Sequence, residues 1–86
     1  MKADSWWFYV LLCADGSYYA GVTTDTKRRL YEHNHTKRAA KYTRRRRPTK
    51  IVFLEPHANR SSAQRAESKF KRLTRKQKEE KINESR

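Results

Sequence analysis

Apolar positions crowd the front of the chain. Trp6-Trp7-Phe8-Tyr9-Val10-Leu11-Leu12-Cys13 is an almost unbroken apolar run, followed by Asp15-Gly16 and then by Ser17 to Val22. Asp-Gly between strand-like residues predicts a hairpin, because a type I′ turn needs positive φ at both central positions. The pattern therefore predicts one strand over 6–13 and its partner over 17–22. Alternation puts Trp7, Tyr9, Leu11 and Cys13 on one face and Trp6, Phe8, Val10 and Leu12 on the other. Both faces are apolar, as in a strand covered on both sides, so the first strand is expected at the centre of the sheet.

The later segments follow helical and strand periods in turn. Thr23, Thr24 and Asp25 are three candidate N-caps before a helix over 26–34. A helical turn is expected near Ala39 and Ala40. Lys50 to Glu55 is rich in β-formers and predicts the third strand, with a loop over 56–59. Ser61-x-x-Gln64 and Thr74-x-x-Gln77 are written as capping boxes. The first opens a helix with an Ala63, Ala66, Phe70, Leu73 stripe; the second opens a short helix ending near Ile82. The order is β-β-α-β-α-α. The fold class is α+β: a small three-stranded antiparallel sheet flanked by helices in a sandwich-like arrangement. A polar lead-in (1–5) and a polar tail (83–86) bracket one domain over 6–82.

Two helices break the amphipathic rule. In the first helix Thr26, Arg29, Leu30 and His33 share a face, so the side that should meet the sheet carries an arginine and a histidine. In the helix after the third strand, Glu67 is the only acid between Glu55 and Glu79. It lies beside the apolar stripe, half-turned toward the sheet. It has two readings: an ion pair with Lys71 one turn on, or a carboxylate for a hard divalent cation, since Mg²⁺ takes one or two carboxylates and keeps several waters. Local conflicts with the fold are where function is expected.

Charge narrows the choice of partner. The chain has 86 residues, with 22 Lys and Arg against 9 Asp and Glu, a net charge of +13. Such a field draws polyanions, which makes nucleic acid the first partner to consider and an anionic membrane surface the second. From His33 to Leu54 there is no acid, while Lys37, Arg38, Lys41, Arg44, Arg45, Arg46, Arg47 and Lys50 crowd the same stretch around Tyr42. A solvated loop or a targeting patch would account for this run, but a clamp on phosphates with Tyr42 stacking on a base accounts for it better. Cys13 is the single cysteine, which excludes an internal disulfide and a cysteine-rich zinc site; a buried thiol is expected. His33 and His35, two residues apart, do not share a helix face, so a zinc site with His57 is not expected either. The apolar run at the front is too short for a secretion signal or a membrane span, and a cytoplasmic protein is expected.

Taken together, Trp7-Phe8-Tyr9-Val10-Leu11, the tight hairpin to Tyr19-Ala20-Gly21, Thr24-Asp25, Arg29 eight residues past the glycine, His33 four further on and the lone helical Glu67 resemble the GIY-YIG nuclease superfamily, closest to its small stand-alone bacterial members. The resemblance covers about residues 6–82. It implies that Tyr9 and Tyr19 are the signature tyrosines, Arg29 the catalytic arginine, His33 the histidine one turn on, and Glu67 the ligand of one Mg²⁺ or Mn²⁺. It implies a metal-dependent endonuclease acting on DNA or RNA with little sequence specificity, with Lys37 to Arg47 as the nucleic-acid contacts and a protein partner in repair or recombination as an open question. Tyr19 is the better candidate for activating water, with Tyr9 and His33 orienting water or relaying the proton. Trp7 stands where the first signature has glycine, Ala20 stands inside the second, and the basic stretch has no glycine. Asn83 is the only late asparagine that could answer to the one used in other branches, and it is assigned no role. Two other readings compete: a non-catalytic nucleic-acid-binding module on the same scaffold, and an interaction protein that cuts only with a partner subunit.

Overall fold

β1 (Trp6–Leu12) runs through the middle of the sheet, with β2 (Tyr18–Thr23) on one side and β3 (Lys50–His57) on the other, both antiparallel to it. The computed structural model describes residues 5–84. The expected lead-in therefore lies outside the described residues except for Ser5. Of the expected tail, only Asn83 and Glu84 are described, and they continue the last helix. The helices are α1 (Thr26–His35), the single turn α2 (Lys41–Arg44), α3 (Arg60–Lys71) and α4 (Arg75–Glu84). The apolar run behaves as its pattern demands: Phe8, Tyr9, Val10 and Leu11 are all buried.

The hairpin turn differs from the one expected. The Cys13 N–H donates to the Ser17 carbonyl (2.8 Å) and the Gly16 N–H to the Cys13 carbonyl (2.9 Å), so the loop holds three residues rather than two. Only Gly16 has positive φ (85°), and Asp15 does not. A turn closed by one left-handed glycine is the next commonest hairpin solution. The Asp15 carboxylate stabilises it by accepting from the Ser17 N–H (3.0 Å), the Ser17 hydroxyl (2.6 Å) and Arg46 Nε (2.9 Å). β3 also runs further than expected, through Pro56 to His57. Proline is tolerated there because β3 is an edge strand. Its register slips between Val10 and Leu11 of β1, which leaves Val52 as the extra residue of a bulge.

Caps set the helix starts. Asp25 accepts from the Arg28 N–H (3.0 Å) to open α1. Asn59, not Ser61, opens α3 by accepting from the Ser62 N–H (2.8 Å); an asparagine reached the N-cap position first, so the helix starts two residues earlier. The second capping box forms as written, with the Thr74 N–H donating to Gln77 Oε1 (2.9 Å) and the Gln77 N–H to Thr74 Oγ1 (3.2 Å).

The two faces of the sheet serve different ends. Phe8, Val10, Ala20 and Phe53 meet Phe70 of α3 and Ile82 of α4 in one apolar cluster. Phe8 packs tilted against Phe53 and Phe70, with centroids 5.7 and 5.6 Å apart; burying such a ring is worth about 1.5–3 kcal/mol. Tyr18, on the side of β2 opposite Tyr19, joins this face with its ring under the Arg75 guanidinium (4.4 Å). Cys13 is buried and unpaired, as expected. The opposite face, bearing Tyr9 and Tyr19, is covered by α1 and α2 and is polar in its depth.

Candidate active site

His33 is the centre of that polar face. It is fully buried on the inner side of α1, where the 3.6-residue period puts it one turn past Arg29. Its Nδ1 is 2.7 Å from Thr43 Oγ1 and its Nε2 is 2.8 Å from the Tyr9 hydroxyl. The Thr43 hydroxyl donates to the Ala40 carbonyl (3.0 Å), so its oxygen accepts from Nδ1–H. A neutral imidazole has one ring proton; Nε2 is then bare and accepts from Tyr9. The proton order is Tyr9 to His33 to Thr43 to the Ala40 backbone. Burial and the nearby Arg29 guanidinium push the His33 pKa down to about 4, so the ring is neutral at pH 7.

Tyr9 is pushed the other way, up to about 12, by burial first and by its neighbour Tyr19; the Arg29 side chain opposes this, and the Glu67 carboxylate adds to it. Tyr9 is therefore a neutral phenol that donates to His33. The room for it comes from Gly21, its cross-strand partner. A Cβ built on Gly21 would lie 2.5 Å from the Tyr9 oxygen and 2.6 Å from Cζ, closer than any real contact. Here the glycine is needed for close approach, not for an unusual φ.

Tyr19 sits beside this relay, its ring edge-on to His33 (5.3 Å) and stacked on Tyr42 (6.0 Å). It is half-buried, and so more open than Tyr9. Arg29, also half-buried, uses Nη1 to hold Glu32 (2.9 Å) and the Arg38 carbonyl (2.8 Å), which fastens the basic segment to α1. Its guanidinium also lies against the Tyr9 hydroxyl. Tyr9, Tyr19, Arg29 and His33 are thus gathered on one face. Glu67 approaches from α3 on the other side of the sheet, half-buried, near enough for its charge to raise the Tyr9 pKa. Its Oε2 is paired with Lys71 Nζ at 3.0 Å, the ion pair expected as one alternative. Lys71 is largely exposed, and such a pair contributes little, so it does not prevent Glu67 from taking another cation.

The basic segment divides in two. Lys37, Arg38, Lys41, Arg44 and Arg45 are exposed. Arg46 and Arg47, expected among the nucleic-acid contacts, are turned into the protein. Arg46 pairs with Asp15 and lies 3.8 Å over the Tyr42 ring. Arg47 Nε donates to the His33 carbonyl (2.7 Å), and its Nη2 reaches the Thr36 carbonyl, capping the end of α1 where carbonyls lack partners. Tyr42, expected to stack on a base, is already engaged by Tyr19 and Arg46. The reason is geometric: the hairpin turn brings Asp15 to the segment, and α1 ends against it. Sequence reasoning missed Thr43, ten residues from the histidine it supports, and Glu32, whose only signal was its place one turn from Arg28 and three residues past Arg29.

Among the described residues no group of three or more His, Cys, Asp or Glu side chains could hold a metal. A single carboxylate is a hard oxygen donor of the kind Mg²⁺ or Mn²⁺ takes with water completing the shell; Glu32, bound to Arg29, and Glu67, whose charge reaches Tyr9, are the acids near the gathered residues. No helix among the described residues is long and apolar enough to cross a membrane.

Comparison with known proteins agrees with this architecture. The family model of the GIY-YIG catalytic domain matches residues 5–83. A UPF0213 protein of Bacillus velezensis is 50% identical over 86 residues, covering 100% of this chain and 86% of its own. A UPF0213 protein of Enterococcus faecalis is 55% identical over 78 residues, covering 88% of each. Two solution NMR structures are similar. A protein from E. faecalis matches with a TM-score of 0.63 at 52% identity, covering 93% of this chain and 84% of that one. A UPF0213 protein from Bacillus halodurans matches with a TM-score of 0.59 at 38% identity, covering 92% and 83%.

Proposed function

The chain belongs to the GIY-YIG catalytic domain family, and on that premise we propose that it is a divalent-metal-dependent endonuclease that hydrolyses phosphodiester bonds in DNA, and in RNA where the strand fits, with low sequence specificity. The observation that carries this reading is the convergence of Tyr9, Tyr19, Arg29 and a neutral, fully buried His33 on one face of the sheet, with the Glu67 carboxylate at hand. Tyr19 is the more open phenol and activates the attacking water by accepting its hydrogen bond, the water's proton passing out to bulk solvent on the open side of the site. The Tyr9–His33–Thr43 chain orients the site: Tyr9 donates to His33 and leaves its oxygen lone pairs for a donor from Arg29 or water. Arg29 faces the non-bridging phosphate oxygens; its charge is permanent and its fork matches phosphate. Glu67 would hold the Mg²⁺ or Mn²⁺, which when bound would supply Lewis-acid stabilisation of the leaving oxygen. Lys37, Arg38, Lys41, Arg44 and Arg45 hold the backbone of the strand, while Arg46 and Arg47 hold the loop that carries them. We take the cytoplasm as its setting and repair or recombination as its context, as a proposal that goes with this substrate.

The test is a cleavage assay on labelled single-stranded, duplex and branched DNA with Mg²⁺, Mn²⁺ or EDTA. The parent protein is expected to cut only with metal. Arg29→Ala and Glu67→Ala are each expected to lose about 10²–10³-fold in rate while binding DNA within a few-fold of the parent. Tight binding by the parent with no cuts under any metal would replace this reading with the binding module on the same scaffold.

A further inference from the structure

α3 carries a second cationic surface that the site does not use. Its inner face is packed away through Ala63 and Phe70. Its outer face presents Ser61, Gln64, Arg65, Ser68, Lys69 and Arg72, all exposed, around one open depression of about 620 Å³. The helical period sets these residues apart from Glu67. Arg65 and Glu67 lie on opposite flanks of Ala66, each about 100° from it. No acid stands on this face. Arg65, Lys69 and Arg72 have no ion-pair partner among the described residues, and Arg65 bonds only the Ser61 hydroxyl (2.9 Å). Arg65 stands one turn from Lys69 within α3, and Arg72 follows at its C-cap. Like charges at this spacing destabilise a helix, where a plain solvated face would alternate them with acids as Arg75 and Glu79 do in α4. Small hydroxyl and amide side chains between unpaired cations suit a row of phosphates.

The position of this surface is what gives it meaning. α1 and α2, with the exposed cations 37–45, cover the Tyr9 face of the sheet. α3 covers the Phe8 face and points its cations away from it. The molecule measures 35 × 30 × 21 Å along its principal axes. Duplex DNA is stiff over about 50 nm, so a straight duplex lying on one face does not reach the other. We propose that the outer face of α3 is a second phosphate-backbone surface and that the substrate is a branched duplex, with one arm on the basic segment and one on α3. This rests on the reading of the chain as a nuclease of nucleic acid and adds the shape of its substrate.

The experiment measures binding without cutting, using Glu67→Ala protein in EDTA with a short straight duplex and a three-way junction whose arms match it. The slope of log K against log salt counts the phosphates neutralised, at about 0.9 per contact. The junction is expected to give a slope steeper than the straight duplex by about 2.7, for three added contacts. Adding Arg65→Ala, Lys69→Ala and Arg72→Ala should bring the junction slope down to that of the straight duplex and leave the latter unchanged. Alanine favours helix at exposed positions, and a melting curve checks the fold; if it fails, the triple glutamine variant replaces it. Equal slopes for the two probes, an unchanged junction slope in the triple variant, or an equal drop on both probes overturns the proposal. Failure of the nuclease reading shows itself elsewhere, as a parent protein that cuts nothing, and leaves these slopes interpretable.

Discussion

Gly21 and His33 show how single residues set up the site. Gly21 is part of a recognisable signature, but its physical work is to leave space for a phenol. Gly21→Ala must displace Tyr9, whose ring is rigid and buried, and so break its bond to His33. The expected outcome is a loss of about 1–3 kcal/mol from overpacking, read by urea unfolding, together with a cleavage rate at least tenfold lower. His33 gives a pH signature. Its pKa is about 4 when folded against 6.5 ordinarily. Between those values the unfolded chain binds a proton that the folded chain refuses. The His33 contribution is therefore fully present above pH 6.5 and is lost as pH falls toward 4, by roughly 2–3 kcal/mol. Urea unfolding at stepped pH should show that decline. The His33 ring resonances should not titrate between pH 8 and 5; a titration near 6.5 would mean the ring is not held neutral by burial and Arg29.

At the scale of elements, the segment between α1 and β3 is built rather than loose. Arg47 caps α1, Arg46 ties to the hairpin turn, and Asn34 pairs with Thr49 in both directions, donating to its carbonyl (3.0 Å) and accepting its N–H (2.7 Å). Neighbouring arginines should thus behave differently. Arg47→Ala is expected to cost about 1–3 kcal/mol of stability, because half-buried carbonyls lose a charged donor, with little change in the salt slope of DNA binding. Arg44→Ala with Arg45→Ala is expected to leave the melting temperature nearly unchanged and to lower that slope by about 1.8. The same stability loss in both variants would contradict the division. None of this could be read from the run of cations, since the residues that engage Arg46 and Arg47 come from a turn 31 positions earlier and from the end of a helix.

For the whole molecule, the charge of +13 governs affinity. Five exposed cations on the basic segment predict a fall in duplex affinity of about 10²–10³-fold between 50 and 200 mM salt. Unrelated duplex sequences of one length should bind within about threefold of each other, because phosphates carry no sequence information. A strong preference among such duplexes, measured by competition, would point to base contacts that the exposed side chains do not suggest.

The amino-acid sequence by itself determined the sheet order at its centre, the helices, the family and the residues that meet on one face. The strands and helices follow from alternation and helical period, which are local and survive without tertiary contact; the family and the residues that meet are what the resemblance of the motifs implies. Tertiary structure decided the rest. Burial from both sides of the sheet sets the protonation of His33 and Tyr9. The proximity of Thr43 orients the imidazole, and the meeting of Asp15 with Arg46 and of the α1 carbonyls with Arg47 ties two arginines of the basic run into the fold. The outward face of α3 became a surface only once its inner face was seen to be covered. Each depends on groups distant in the chain coming within a few ångströms, and no periodicity encodes that.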